Sequence, residues 1–142
     1  MATVRTAKAH WEGSLMEGAG QVALESSGIG TYDVSWASRA NDANGKTSPE
    51  ELIAAAHSTC FSMALSHALA GAGNAPESID TTADVTFQPG EGITGIKLSV
   101  NGKVPGLTAD EFAEFAEQAK KNCPVSQALA GTTITLDVTF TA

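Results

Sequence analysis

At 142 residues and 42% hydrophobic content, the chain can bury one core, and a single domain spanning 1–142 is expected; it is short for two domains of ordinary size. A formal net charge of −8 opposes phosphate backbones and anionic lipid surfaces, which argues against nucleic acid and membrane as partners and leaves a small or neutral ligand. The first ten residues include Arg5 and Lys8 but no apolar stretch of a secretory signal, so a cytoplasmic location is expected.

Residues near 4–11, 20–26 and 32–38 are short mixed runs separated by Gly13, Gly18, Gly20, Gly28 and Gly30, the pattern of an antiparallel meander. Ser48 then marks a helix start: it can cap, Pro49 suits the first helical position, and Glu51 completes a capping box. Leu52 to Ala70 continue without a breaker until Gly71 and Gly73. The run from Leu52 to Ala72 is long enough to raise the question of a membrane span, but His57, Ser58, Thr59, Ser62, Ser66 and His67 interrupt it, so it reads as a buried helix. Alanine, serine and leucine surround it on nearly every side. Burial over most of its circumference is therefore expected, with another subunit as a candidate partner.

Residues 78–88 and 93–104 alternate apolar with polar side chains, as half-exposed strands do, and the turn at 89–92 (Pro-Gly-Glu-Gly) would pair them. Thr108 and Glu111 form a second capping box, before a helical face of Phe112, Phe115 and Ala119. A break at Asn122 precedes a short helix at Pro124, and residues 132–140 close the chain in alternation. The class is α+β.

Two cysteines stand out. Cys60 lies twelve residues into the alanine-rich helix, and Cys123 directly precedes Pro124 at a helix N-cap position. A thiol is nucleophilic only as thiolate, and free amides at a helix start favour that anion at Cys123. Desolvation at Cys60 acts the other way, so a reactive Cys60 needs a cation from elsewhere. Only eight lysines and arginines exist. Arg39, at a strand end before the loop to the Cys60 helix, is the better candidate, because a guanidinium stays charged when buried and can hold a carboxylate with two bonds. Glu50 is a natural partner for it. Ten residues separate Glu50 from Cys60, about 15 Å of helical rise, so the two serve one site only if the helix start bends or Glu50 reaches the Cys60 of a second chain.

Simpler readings stand beside these. Both thiols could be packing residues, Arg39 a surface charge, and Glu50 a complement to the helix dipole. His57, one turn before Cys60, could act as its base or pack against apolar neighbours. His57, Cys60 and Cys123 as zinc ligands lack any second ligand pair, and no metal is expected.

The chain resembles the OsmC/Ohr peroxidases (osmotically inducible protein C and organic hydroperoxide resistance proteins), and is most similar to the OsmC branch. The resemblance rests on His10-Trp11-Glu12-Gly13, Arg39 in its setting, the segment from Ser48 to Leu65 around Cys60, Ser78 to Val85, Val104-Pro105-Gly106 and Asn122 to Leu129 around Cys123, in order along nearly the whole chain. It implies an OsmC-like α+β fold in which antiparallel sheets pack around a long buried central helix, an intertwined homodimer with intersubunit active sites, and reduction of organic hydroperoxides without metal or other cofactor. In that pattern Cys60 is the peroxidatic thiolate, Cys123 resolves its sulfenic acid to a disulfide, Arg39 stabilises the thiolate and Glu50 holds Arg39. The reductant implied is a dithiol, often a protein-bound lipoyl group. One conflict is visible: helix-end electrostatics alone would make Cys123 the more acidic thiol. The rival functions are a non-catalytic small-ligand-binding module on the same fold, and a dithiol–disulfide oxidoreductase, against which the missing Cys-x-x-Cys speaks.

Overall fold

The computed structural model describes residues Met1–Ala142, which form two compact units, Met1–Leu52 and Ile53–Ala142. The first unit holds an antiparallel sheet in the order β1 (Lys8–Glu12), β2 (Ala19–Ala23), β3 (Thr31–Val34). The expected third strand ends early. Instead of continuing to residue 38, the chain turns into a short helix α1 (Trp36–Ala40). Ser35 is the cause: its hydroxyl accepts from the Ser38 amide while Ser38 returns the bond to the Ser35 amide, a reciprocal cap that satisfies two amides left open at a helix start. The Ser38 hydroxyl also bonds the Thr47 carbonyl, and Thr47 bridges Val34 in parallel, which ties the loop after α1 back to the sheet. Arg39 therefore sits in the last turn of a helix, not at a strand end.

The long helix α2 runs from Pro49 to Gly71. Its start is half of the expected box: Ser48 accepts from the Glu51 amide, but the Glu51 carboxylate takes the Thr47 hydroxyl at 2.6 Å instead of the Ser48 amide. By length and composition alone α2 could cross a membrane. Its behaviour in the second unit is that of a core helix with one buried side: His57, Phe61, Leu65 and Leu69 recur every fourth residue and are fully buried. Burying each of the three apolar members is worth roughly 1.5–3 kcal/mol. The opposite stripe, Thr59, Met63 and His67, is exposed, Met63 to 68%. Burial over most of the circumference, expected from composition, is thus not found within one chain, because the strands and helices of the second unit cover a single face.

That face meets a mixed sheet, order β4 (Ser78–Gln88), β5 (Gly92–Lys103), β6 (Ile134–Thr141). β4 and β5 form the expected hairpin through 89–92, where Gly90 and Gly92 take positive φ values of 88° and 95°. β6 departs from the antiparallel expectation by pairing parallel to β5, which α3 (Ala109–Asn122) and α4 (Pro124–Ala128) permit by carrying the chain back to the starting edge. The Thr108–Glu111 capping box at the start of α3 is present in both directions. Inward residues Leu98, Val100, Leu136 and Val138 face Phe61, Leu65 and Phe112 in one cluster, while outward Lys97 pairs with Asp137 at 3.0 Å.

Gly102 shows how tightly this core is fitted. A Cβ there would lie 2.2 Å from Cζ of Phe112, whose ring stacks on Phe140 at a centroid distance of 5.1 Å. Phe112 is fully buried, so moving its ring aside disturbs the side chains packed on it. Gly102→Ala is expected to cost about 1–3 kcal/mol through overpacking, measured as a lower thermal midpoint.

Candidate active site

Pro124 decides where the second thiol lies. A proline disfavours helical geometry in the residue before it, and Cys123 accordingly adopts φ −56°, ψ 122°. Cys123 thus ends α3, its amide donating to the Ala119 carbonyl at 2.8 Å, and begins α4. Its side chain is fully buried; Cys60, on α2, is partly exposed. Both are free thiols, and each shifts the titration of the other, which makes the two sulfurs neighbours in the fold. The fold has therefore brought together two residues sixty-three positions apart in sequence.

The electrostatics of the pair are asymmetric. Burial pushes the Cys60 thiol up, and the neighbouring Cys123 thiol adds to this, while the nearby backbone of Val125 works against both. Burial also opposes a Cys123 anion, but the nearby Cys60 thiol, the amide and hydroxyl of Ser126 and the amide of Val125 together outweigh it, and the Cys123 thiol is pulled below its ordinary value. None of these amides has full capping geometry to the sulfur; their effect is that of nearby donors facing a polarisable anion. Within one chain Cys123 is thus the more acidic thiol, as helix-end reasoning predicted.

His57 does not form the dyad with Cys60 that its spacing allowed. Its Nε2 lies 2.7 Å from the Ser126 hydroxyl, inside the core, and its Nδ1 has no hydrogen-bond partner. Burial lowers its pKa, so the ring is neutral at neutral pH. Ser126 was not singled out by sequence reasoning; the available signal was its place three residues after an N-cap cysteine. No three His, Cys, Asp or Glu side chains gather in a way that could hold a metal ion.

In the first unit, Arg39 and Glu50 meet as expected from their residue types. Arg39 Nε donates to both Glu50 oxygens at 3.1 and 3.2 Å, and Nη2 donates to Oε2 at 2.9 Å. The carboxylate is 8% exposed and the guanidinium 32%. Because Thr47 occupies Glu51, Glu50 is the carboxylate of this turn that engages the arginine. Three charge-assisted bonds from two donors on one edge of the guanidinium fix its plane, which a lysine could not reproduce.

Comparison with known proteins extends the picture. Residues 41–139 match the family described as OsmC-like protein. The chain is 47% identical to Peroxiredoxin OsmC of Escherichia coli (strain K12) over 133 residues, 92% of either protein. It is 33% identical to the organic hydroperoxide resistance protein OhrA of Bacillus subtilis (strain 168) over 104 residues, covering 72% of this chain and 71% of the relative. Among solved structures, an organic hydroperoxide resistance protein from Elizabethkingia anophelis superposes with a TM-score of 0.71 at 28% identity, covering 99% of this chain and all of the other.

Proposed function

Since the chain belongs to the OsmC-like protein family, we propose that it is a thiol peroxidase that reduces organic hydroperoxides to alcohols, with Cys60 attacking and Cys123 resolving. The observation that carries this reading is the pair of free, neighbouring thiols of which only Cys60 has access to solvent. Access selects the attacker. Although Cys123 is the more acidic of the two within one chain, a peroxide cannot collide with a sulfur that is fully buried.

In the first step the Cys60 thiolate attacks the peroxide oxygen distal to carbon, the O–O bond breaks, and the alkoxide takes a proton to leave as alcohol. Cys60 is oxidised to a sulfenic acid. In the second, Cys123 attacks that sulfur, hydroxide departs, and a Cys60–Cys123 disulfide forms. An external dithiol, such as a lipoyl group, then returns both sulfurs to thiols by exchange.

Ionising Cys60 against its burial is the role proposed for Arg39, oriented by Glu50. With α2 unbroken from Pro49 to Gly71, the ten residues between Glu50 and Cys60 amount to about 15 Å of rise, so the reading is an intersubunit site in a homodimer. The open side of α2, where exposed Ala56, Met63 and Ala70 are interleaved with Thr59 and His67, supports such a partner, since a face of this mixed, weakly polar kind can be covered by a second chain.

Counting thiols tests the activity. One equivalent of an organic hydroperoxide added to the reduced protein is expected to consume both thiols together and release one equivalent of alcohol. Retention of both thiols would instead point to a non-catalytic binding module.

A further inference from the structure

We propose that His57 and Ser126 form a buried donor chain that positions Cys123 for the resolving step, His57 Nε2–H donating to the Ser126 hydroxyl and that hydroxyl donating to the Cys123 sulfur. This rests on the peroxidase reading for its role in turnover, but the hydrogen-bond chain itself is a property of the resting protein.

The direction of donation follows from an inventory of hydrogens. A neutral imidazole carries one N–H. Placed on Nδ1, it would be a buried donor without a partner, since His57 is fully buried and Nδ1 bonds nothing; such a donor costs about 1–3 kcal/mol. Placed on Nε2, it meets the Ser126 oxygen at 2.7 Å. Ser126 has a single hydroxyl hydrogen. With its oxygen accepting from His57, that hydrogen is free for Cys123, which lies fully buried three residues back at the start of the same short helix and whose thiol the nearby Ser126 side chain helps to pull down. A protonated ring would put an uncompensated charge among Phe61, Leu65 and their neighbours, so His57 serves as a fixed neutral donor and not as a base.

The surroundings add no competing charge. Cys60 and, through Ser126, His57 approach Cys123 from α2. From α3, Lys120 is turned to Glu117 at 3.3 Å and to the Ile134 carbonyl at 3.5 Å. α4 contributes only the amides of Val125 and Ser126 and the serine hydroxyl.

The chemistry gains from this in the second step. Starting from the monoanion of the pair, a hydroperoxide is converted to alcohol and hydroxide as the two sulfurs join, so the pair loses two electrons and the peroxide gains them. When the Cys60 sulfenic acid forms, Cys123 must present a thiolate lone pair. The Ser126 donor holds that anion in the core and faces it from the α4 side.

Three measurements test the proposal. In the unmutated protein, nitrogen NMR of the His57 ring should show the neutral Nε2–H tautomer at neutral pH; the Nδ1–H tautomer or a protonated ring overturns the chain. In a Cys60→Ser background, Cys123 followed by thiolate ultraviolet absorbance should titrate at higher pH when Ser126→Ala is added. His57→Leu should move it the same way, and His57→Gln, which keeps a donor, should restore part of the change. An unmoved titration in Ser126→Ala overturns the proposal. With Cys60 present, Ser126→Ala should form sulfenic acid at the normal rate but close the disulfide about tenfold more slowly, the loss of one hydrogen bond to a charged group; equal slowing of both steps would mean a structural defect and overturn the positioning role. The titration needs no peroxide chemistry, so it can succeed even if thiol counting rejects the peroxidase.

Discussion

Cys60→Ser is expected to abolish hydroperoxide consumption, lowering the rate by about a thousandfold or more, because a serine hydroxyl in the same place is not ionised and cannot take an oxygen atom from a peroxide. Cys123→Ser should behave differently. It should consume one equivalent of hydroperoxide, release one alcohol and stop with Cys60 as sulfenic acid. Without a resolving thiol, excess peroxide should carry that sulfur on to sulfinic acid, which dithiols do not reverse. Mass spectrometry of the two variants reads this directly: no oxygen added in the first, one and then two added in the second. If Cys123→Ser is the dead variant and Cys60→Ser the one that turns over once, the roles are reversed and solvent access to Cys60 is not what selects the attacker.

Strong local signals made much of the fold legible. Ser48, Pro49 and the unbroken run to Ala70 located α2; alternation from 78 to 104 located two strands that the structure pairs as a hairpin; Thr108 with Glu111 located α3, and Cys123 before Pro124 located the break to α4. Where residues must choose a distant partner, local pattern fails. The alternation of β6 is the same whether its neighbour runs parallel or antiparallel, and only the crossover through α3 and α4 decides. α1 was hidden because its cap uses serine at both positions, where the commoner box has a glutamate or glutamine at the second. Alanine on α2 reads alike on a buried and an exposed face, so composition overstated burial within one chain. The site divides in the same way: Arg39 with Glu50 followed from complementary charge eleven residues apart, whereas His57 and Ser126, sixty-nine apart, had no sequence signal linking them.

The second large effect concerns the cation. Under the proposed mechanism Arg39→Ala should slow the reaction of Cys60 with hydroperoxide by about 10²–10³, the usual loss when a preorganised charge facing a developing or resident anion is removed. The pH profile separates this from a change in shape. Burial alone pushes the Cys60 thiol up, so without the guanidinium the thiolate forms only in more alkaline solution. The Arg39→Ala rate should then climb with pH through a range in which the unmutated protein is already flat, and part of the deficit should close at high pH. Arg39→Lys should fall between the two, since the charge remains but the fork that Glu50 holds through Nε and Nη2 is lost. Glu50→Gln should be milder than Arg39→Ala, as it frees the guanidinium to wander without removing it. A rate in Arg39→Ala that stays low and independent of pH would mean that Arg39 shapes the site and does not ionise Cys60, and the origin of the thiolate would then have to be sought in the pair of sulfurs itself.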